Sequence, residues 1–116
     1  MKKYKYLNEI LEICKNNHLT AEDIFIELKK TYPKVWIATV YRSINYLLKQ
    51  GRLRKVANIW GKIYYETFVN FHLHLIDETT GEIIDLSEED IKISKSLKEK
   101  LLYVSNINIF GKIKKQ

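Results

Sequence analysis

Cysteine is nearly absent from this 116-residue chain: there is one, Cys14, so no internal disulfide can form and no four-thiolate zinc centre can be built. Stability must therefore come from packing, from a partner chain, or from a metal held by nitrogen and oxygen. Long hydrophobic runs are missing too. None approaches the roughly 20 apolar residues that span a bilayer, and Met1-Lys2-Lys3-Tyr4-Lys5 leads into an amphipathic pattern and not into a signal-peptide core. A membrane architecture is excluded, and a cytoplasmic protein is expected. Proline occurs once, at Pro33, where it disfavours helical geometry in the residue before it.

What is present is charge and apolar periodicity. Hydrophobic residues make up 46% and charged residues 29%, enough for one ordinary domain or two very small ones. Twenty Lys and Arg against fourteen Asp and Glu give a net charge of +6, which favours a polyanionic partner. A lysine-rich composition produces the same balance, so the charge needs independent support.

That support lies in the order of elements. Leu7, Ile10, Leu11 and Cys14 follow the helical period from Tyr4 to Lys15, which makes Cys14 a core thiol, and Asn16-Asn17 ends the run. In Leu19-Thr20-Ala21-Glu22-Asp23-Ile24, Thr20 is a helix cap answered by Asp23, with Leu19 stapled onto Ile24. Ala21, Ile24, Phe25 and Leu28 form the buried face of this second helix, which stops near Thr31 or Tyr32. A third helix, Ile37 to Gln50, buries Val40, Ile44, Leu47 and Leu48 and ends at Gly51. Two strand-like runs follow, Leu53 to Ala57 and Ile63 to Glu66, joined through Gly61. The sequence predicts a helix-turn-helix with a hairpin wing. Tyr41, Arg42, Tyr46 and Lys49 on the outer face of the third helix, with Arg52, Arg54, Lys55 and Lys62 on the wing, supply cations for phosphates and guanine edges and rings for sugars and thymine methyls.

Phe71-His72-Leu73-His74-Leu75-Ile76 alternates strictly. As a strand it sets both imidazoles on one face about 6.5 to 7 Å apart at the backbone. A polar turn from Asp77 to Glu82 returns to Ile83-Ile84-Asp85-Leu86, so Asp85 can approach His72 and His74 across the pair. Such a pair also occurs as hydrogen-bonded or solvated histidine, so a metal site needs context. A fourth helix is expected from Glu88 to Leu102, capped by Ser87 with Ile91, Leu97 and Leu101 facing in, and a last strand from Val104 to Ile113. Residues 71 to 116 are too few to fold alone without a metal or a second chain. The expected class is α+β: a winged-helix DNA-binding domain over residues 1–67, a hinge at 68–70, and a small α/β dimerisation domain over 71–116.

Three motifs, His18-Leu19-Thr20-Ala21-Glu22-Asp23-Ile24, Ala38-Thr39-Val40-Tyr41-Arg42-Ser43-Ile44-Asn45-Tyr46-Leu47, and His72-Leu73-His74-Leu75-Ile76 followed by Gly81-Glu82-Ile83-Ile84-Asp85, resemble the ferric uptake regulator family in order and spacing, across roughly Leu7 to Gly111. The resemblance implies a metal-dependent repressor that binds double-stranded DNA at AT-rich palindromic operators as a homodimer, with no catalytic activity. It also implies one divalent metal per subunit held by His18, Glu66, His72, His74 and Asp85. Imidazoles and carboxylates without thiolate suit Fe2+, Mn2+ or Zn2+ and do not choose among them. Aspartate at 85 is typical of the family's peroxide sensors, in which His18 and His72 would be the oxidised ligands, whereas Glu66 departs from them. Asp77 and Thr80 stand where the family commonly has Cys-x-x-Cys, and no structural zinc is expected. Trp36 stands where a small capping residue is common. Other readings are a constitutive winged-helix DNA binder with a non-functional metal site, a small metal-dependent hydrolase or oxygenase, and a protein-interaction module.

Overall fold

The computed structural model describes residues 4–67, 73–87, 89–101 and 106–114. The chain forms two compact units, Met1–Val69 and Asn70–Gln116.

In the first unit three helices, α1 (Leu7–Ile13), α2 (Ala21–Thr31) and α3 (Ile37–Lys49), precede an antiparallel hairpin of β1 (Leu53–Ile59) and β2 (Lys62–Thr67). Their apolar stripes meet in one core of Ile10, Cys14, Ile24, Leu28, Val40, Ile44, Leu47, Leu53 and Tyr65. α1 is shorter than its apolar period, because Tyr6 precedes it in left-handed backbone at φ 63 and Asn16 stops the following turn at φ 59. α2 starts as expected. The Thr20 side chain accepts from the Asp23 amide and the Asp23 carboxylate accepts from the Thr20 amide, each at 3.1 Å. α3 has no such device: Trp36 is its N-cap and makes no side-chain cap bond. Burial pushes the Cys14 thiol up from 9.0 to about 12, as a core thiol requires.

The second unit is a three-stranded sheet in the order β4-β3-β5, with β3 (Leu73–Asp77) central, β4 (Ile83–Leu86) antiparallel to it and β5 (Asn108–Gly111) parallel. Asp77 and Thr80 build a polar turn. Asp77 Oδ1 accepts from the Thr79 amide at 2.9 Å, Thr80 Oγ1 accepts from the Glu82 amide at 3.1 Å, and Gly81 takes φ 78.

The fourth helix departs from expectation. It is α4 (Lys95–Lys100), capped by Ser94. Ser87 does not start it, because Ser87 and Asp90 close on each other: the Ser87 amide donates to Asp90 Oδ2 at 2.9 Å and the Asp90 amide to the Ser87 carbonyl at 3.1 Å. The side-chain bond offers the backbone a turn in place of a helix. Leu97 and Leu101, expected to face in, are 46% and 42% exposed. The last strand is shorter than expected, and residues 104 and 105 of that expectation lie outside the described residues, as do residues 68–70 of the expected hinge. Among the described residues, no helix is long and apolar enough to cross a membrane.

Candidate metal centre and DNA-binding surface

Each unit brings a histidine and a carboxylate together. In the first, the segment before α2 is zipped to β2 by reciprocal backbone bonds between Leu19 and Tyr65, at 3.0 and 2.7 Å. This sets His18 beside Glu66, with Nε2 to Oε1 at 3.2 Å. Glu66 is buried and has a further partner in Arg54, whose Nη2 and Nε reach Oε2 at 2.7 and 2.8 Å. Arg54 was expected on the cationic outer surface of the wing; it faces in instead. The reason is a bulge. β1 and β2 pair Ile59 with Lys62, and that register continued would set Arg54 against Thr67, but a shift between Lys55 and Ala57 moves Arg54 opposite Glu66.

In the second unit His74 is wholly buried on the central strand, and its register partners carry the groups around it. Asp85 is opposite on β4, with Oδ1 3.6 Å from Nε2, and Asn108 is opposite on β5, with Oδ1 3.3 Å from Nδ1. A His74 tautomer protonated at Nδ1 would donate to Asn108 Oδ1 and leave the Nε2 lone pair on the side of Asp85, the arrangement a metal-ligating imidazole needs. His72 lies outside the described residues. Sequence reasoning missed Asn108, because only the parallel pairing of β3 with β5 brings it to His74. The donors fit a divalent cation: each pair offers one imidazole nitrogen and a carboxylate, hard and borderline ligands without sulfur.

On α3 the four expected DNA contacts separate. Arg42 and Lys49 are exposed, Arg42 resting 3.4 Å from Thr39 Oγ1. Tyr41 is exposed, and its hydroxyl donates to Glu22 of α2, which raises its pKa. Tyr46 is half-buried, stacked on Tyr4 at 4.2 Å between ring centroids, and its hydroxyl accepts from Gln50 at 2.8 Å. Arg52, Lys55 and Lys62 are exposed on the hairpin.

The model of the "Ferric uptake regulator family" matches residues 2–109. The chain belongs to the ferric uptake regulator family. It is 31% identical over 86 residues to the ferric uptake regulation protein of Klebsiella pneumoniae, which covers 73% of this chain and 56% of that relative. The chain thus spans little more than half of that relative's length. Among solved structures it is similar to the Campylobacter jejuni peroxide stress regulator, at 28% identity and TM-score 0.83 over 95% of this chain and 87% of the other. It is also similar to the ferric uptake regulator of Francisella tularensis with iron, at 25% identity and TM-score 0.75 over 98% and 92%. The α+β class, an N-terminal winged helix-turn-helix followed by a small α/β domain, is that of these family members. This chain carries a single cysteine, and a tryptophan caps α3.

Proposed function

We propose that this family member is a metal-dependent, DNA-binding transcriptional repressor that acts as a homodimer in the cytoplasm and has no enzymatic role. The observation that carries the reading is the pairing of a histidine with a carboxylate in each unit, His18 with Glu66 and His74 with Asp85, in a chain whose first unit is a winged helix. His18, Glu66, His72, His74 and Asp85 would hold one Fe2+, Mn2+ or Zn2+ per subunit, and the ion when bound would neutralise the carboxylates and tie the two units to a common centre. Ligands drawn from both units would give metal the differential affinity for one DNA-binding arrangement that any such switch needs. Tyr41, Arg42, Tyr46 and Lys49 would meet an AT-rich palindromic operator, one half-site per recognition helix. The iron-bound Francisella relative and the Campylobacter peroxide regulator make metal and peroxide the two signals to test.

The deciding experiment measures binding to a fluorescein-labelled AT-rich palindromic duplex with and without Fe2+ or Mn2+, for the wild type and for a His72→Ala, His74→Ala double variant. Metal should tighten wild-type binding by tenfold or more, about 1.4 kcal/mol, and the variant should lose the response. Equal binding of both proteins with and without either metal would make the chain a constitutive DNA binder whose histidines are structural. An iron arm treated with hydrogen peroxide, read by intact mass, should gain an oxygen atom and release the duplex if peroxide is the signal, and the manganese arm should not.

A further inference from the structure

The chain has two tryptophans, and both are on the surface of the first unit. Trp36 is 76% exposed and Trp60 69%, the highest values of any large hydrophobic side chain among the described residues. Each also occupies a position where another residue would serve the fold better. Trp36 is the N-cap of α3, in extended backbone at φ −102 and ψ 141, with no side-chain oxygen to accept an amide; serine, threonine, aspartate or asparagine is the stable choice there. Trp60 is the first residue of the two-residue turn between β1 and β2, at φ 52, followed by Gly61 at φ 82. Two positive φ angles define the tight hairpin turn that asparagine or glycine fits, and a bulky side chain there is strained. Two local rules are broken by the same residue type, at the entry of the recognition helix and at the tip of the wing, with no gain in burial. Such violations concentrate where a protein meets its ligand.

The surroundings name the ligand. Each ring has an exposed lysine two residues away, Lys34 before Trp36 and Lys62 after Trp60, and Arg42, Lys49, Arg52 and Lys55 are also exposed on α3 and the hairpin. The turn and the recognition helix face the same hollow: Tyr41 of α3, Ala21 and Glu22 of α2, and Gly61 and Lys62 beside Trp60 line an open depression of about 170 Å³. Glu22 is the acidic group there, and it is engaged by the Tyr41 hydroxyl. Exposed apolar rings two residues in sequence from exposed lysines, on a chain of net charge +6, suit a duplex whose sugars and thymine methyls are apolar and whose phosphates are not.

We infer that Trp36 and Trp60 are DNA-contacting residues, Trp36 packing on sugars and thymine methyls where α3 enters the major groove and Trp60 wedging against the sugar edges of the flanking minor groove. The inference rests on the DNA-binding reading and adds to it an aromatic clamp at both ends of the docking face. Apolar side chains inserted at groove edges add affinity that does not depend on counterion release, so this component is separable from the lysines and arginines.

The test replaces each tryptophan by the residue its backbone prefers, Trp36→Ser and Trp60→Asn, so that loss of fold does not explain the outcome. Full-length wild type and variants, with Zn2+ present, are titrated with a fluorescein-labelled AT-rich palindromic duplex over a range of salt concentrations. Thermal melting by circular dichroism and tryptophan emission are recorded in parallel. Both variants should melt at or above the wild-type temperature and bind about fivefold or more weakly, the low end for an aromatic ring against a base, with the salt slope unchanged. Wild-type emission should change on saturation with duplex. If the wild type binds but emission is unchanged and both variants bind equally well, the tryptophans do not contact DNA and the inference falls while the repressor reading stands. If the wild type gives no anisotropy change with the duplex, with or without metal, both fall together.

Discussion

Arg54 and Glu66 form the most consequential side-chain pair of the first unit. Both carboxylate oxygens of Glu66 are engaged, Oε1 by His18 at 3.2 Å and Oε2 by Arg54 at 2.7 Å, and the Glu66 and Arg54 side chains are 3% and 12% exposed. A buried ion pair adds little net stability over apolar packing, yet removal of one partner strands the other charge. Glu66→Ala should therefore lower stability by about 3 kcal/mol in metal-free urea unfolding, and the Arg54→Met, Glu66→Leu double variant should recover most of the loss. A loss below about 0.5 kcal/mol for Glu66→Ala, the usual size of a surface substitution, would show that Arg54 keeps its hydration without Glu66. In the proposed metal site, a cation that took Glu66 would have to share the carboxylate with Arg54 or displace it. Cys14 stands at the other extreme, a thiol with no acceptor role whose elevated pKa keeps it neutral.

The two helix starts of the helix-turn-helix contrast in how their first amides are satisfied. α2 has the reciprocal Thr20 and Asp23 bonds, and Thr20 is only 5% exposed. Thr20→Ala should cost about 1 kcal/mol, read as a shift of the denaturation midpoint at constant slope; an unchanged midpoint would mean that water replaces the cap. α3 forgoes this stabilisation and is held by its buried stripe of Val40, Ile44 and Leu47. α4 has neither advantage. It is six residues long, buries none of them, and follows the Ser87–Asp90 turn that interrupts the longer helix its sequence pattern describes. The hairpin shows how one residue reassigns a side chain: the bulge between Lys55 and Ala57 turns Arg54 from an outward cation into the partner of Glu66.

At the scale of the molecule, the second unit leaves large apolar groups uncovered. Phe110, on edge strand β5, is 51% exposed, and Leu97, Leu101 and Ile113 are each more than 40% exposed. An edge strand with exposed aromatic and aliphatic groups is a template for a second chain, in keeping with the proposed homodimer. Phe110→Asp should convert a dimer into a monomer in sedimentation equilibrium, leaving the circular dichroism of the helices of the first unit unchanged. A variant that remains dimeric would place the interface elsewhere.

The amino-acid sequence by itself determined the parts that depend on local pattern. Helical periodicity, the capping pattern at Thr20 and Asp23, and Pro33 fixed the three helices and their core faces, because burial and amide capping act within a few residues of one another. Alternation in Leu73 to Ile76 made β3, and the resemblance to the ferric uptake regulator family marked His18, Glu66, His72, His74 and Asp85 as candidate ligands. Tertiary structure alone decided which groups surround them. Arg54 meets Glu66 through a bulge, Asn108 meets His74 through a parallel pairing 34 residues along the sequence, and the Ser87–Asp90 turn displaces a helix start. Each depends on register and on contacts far apart in the chain, which hydrophobic periodicity does not encode: a shift of one residue in a strand exchanges one face for the other.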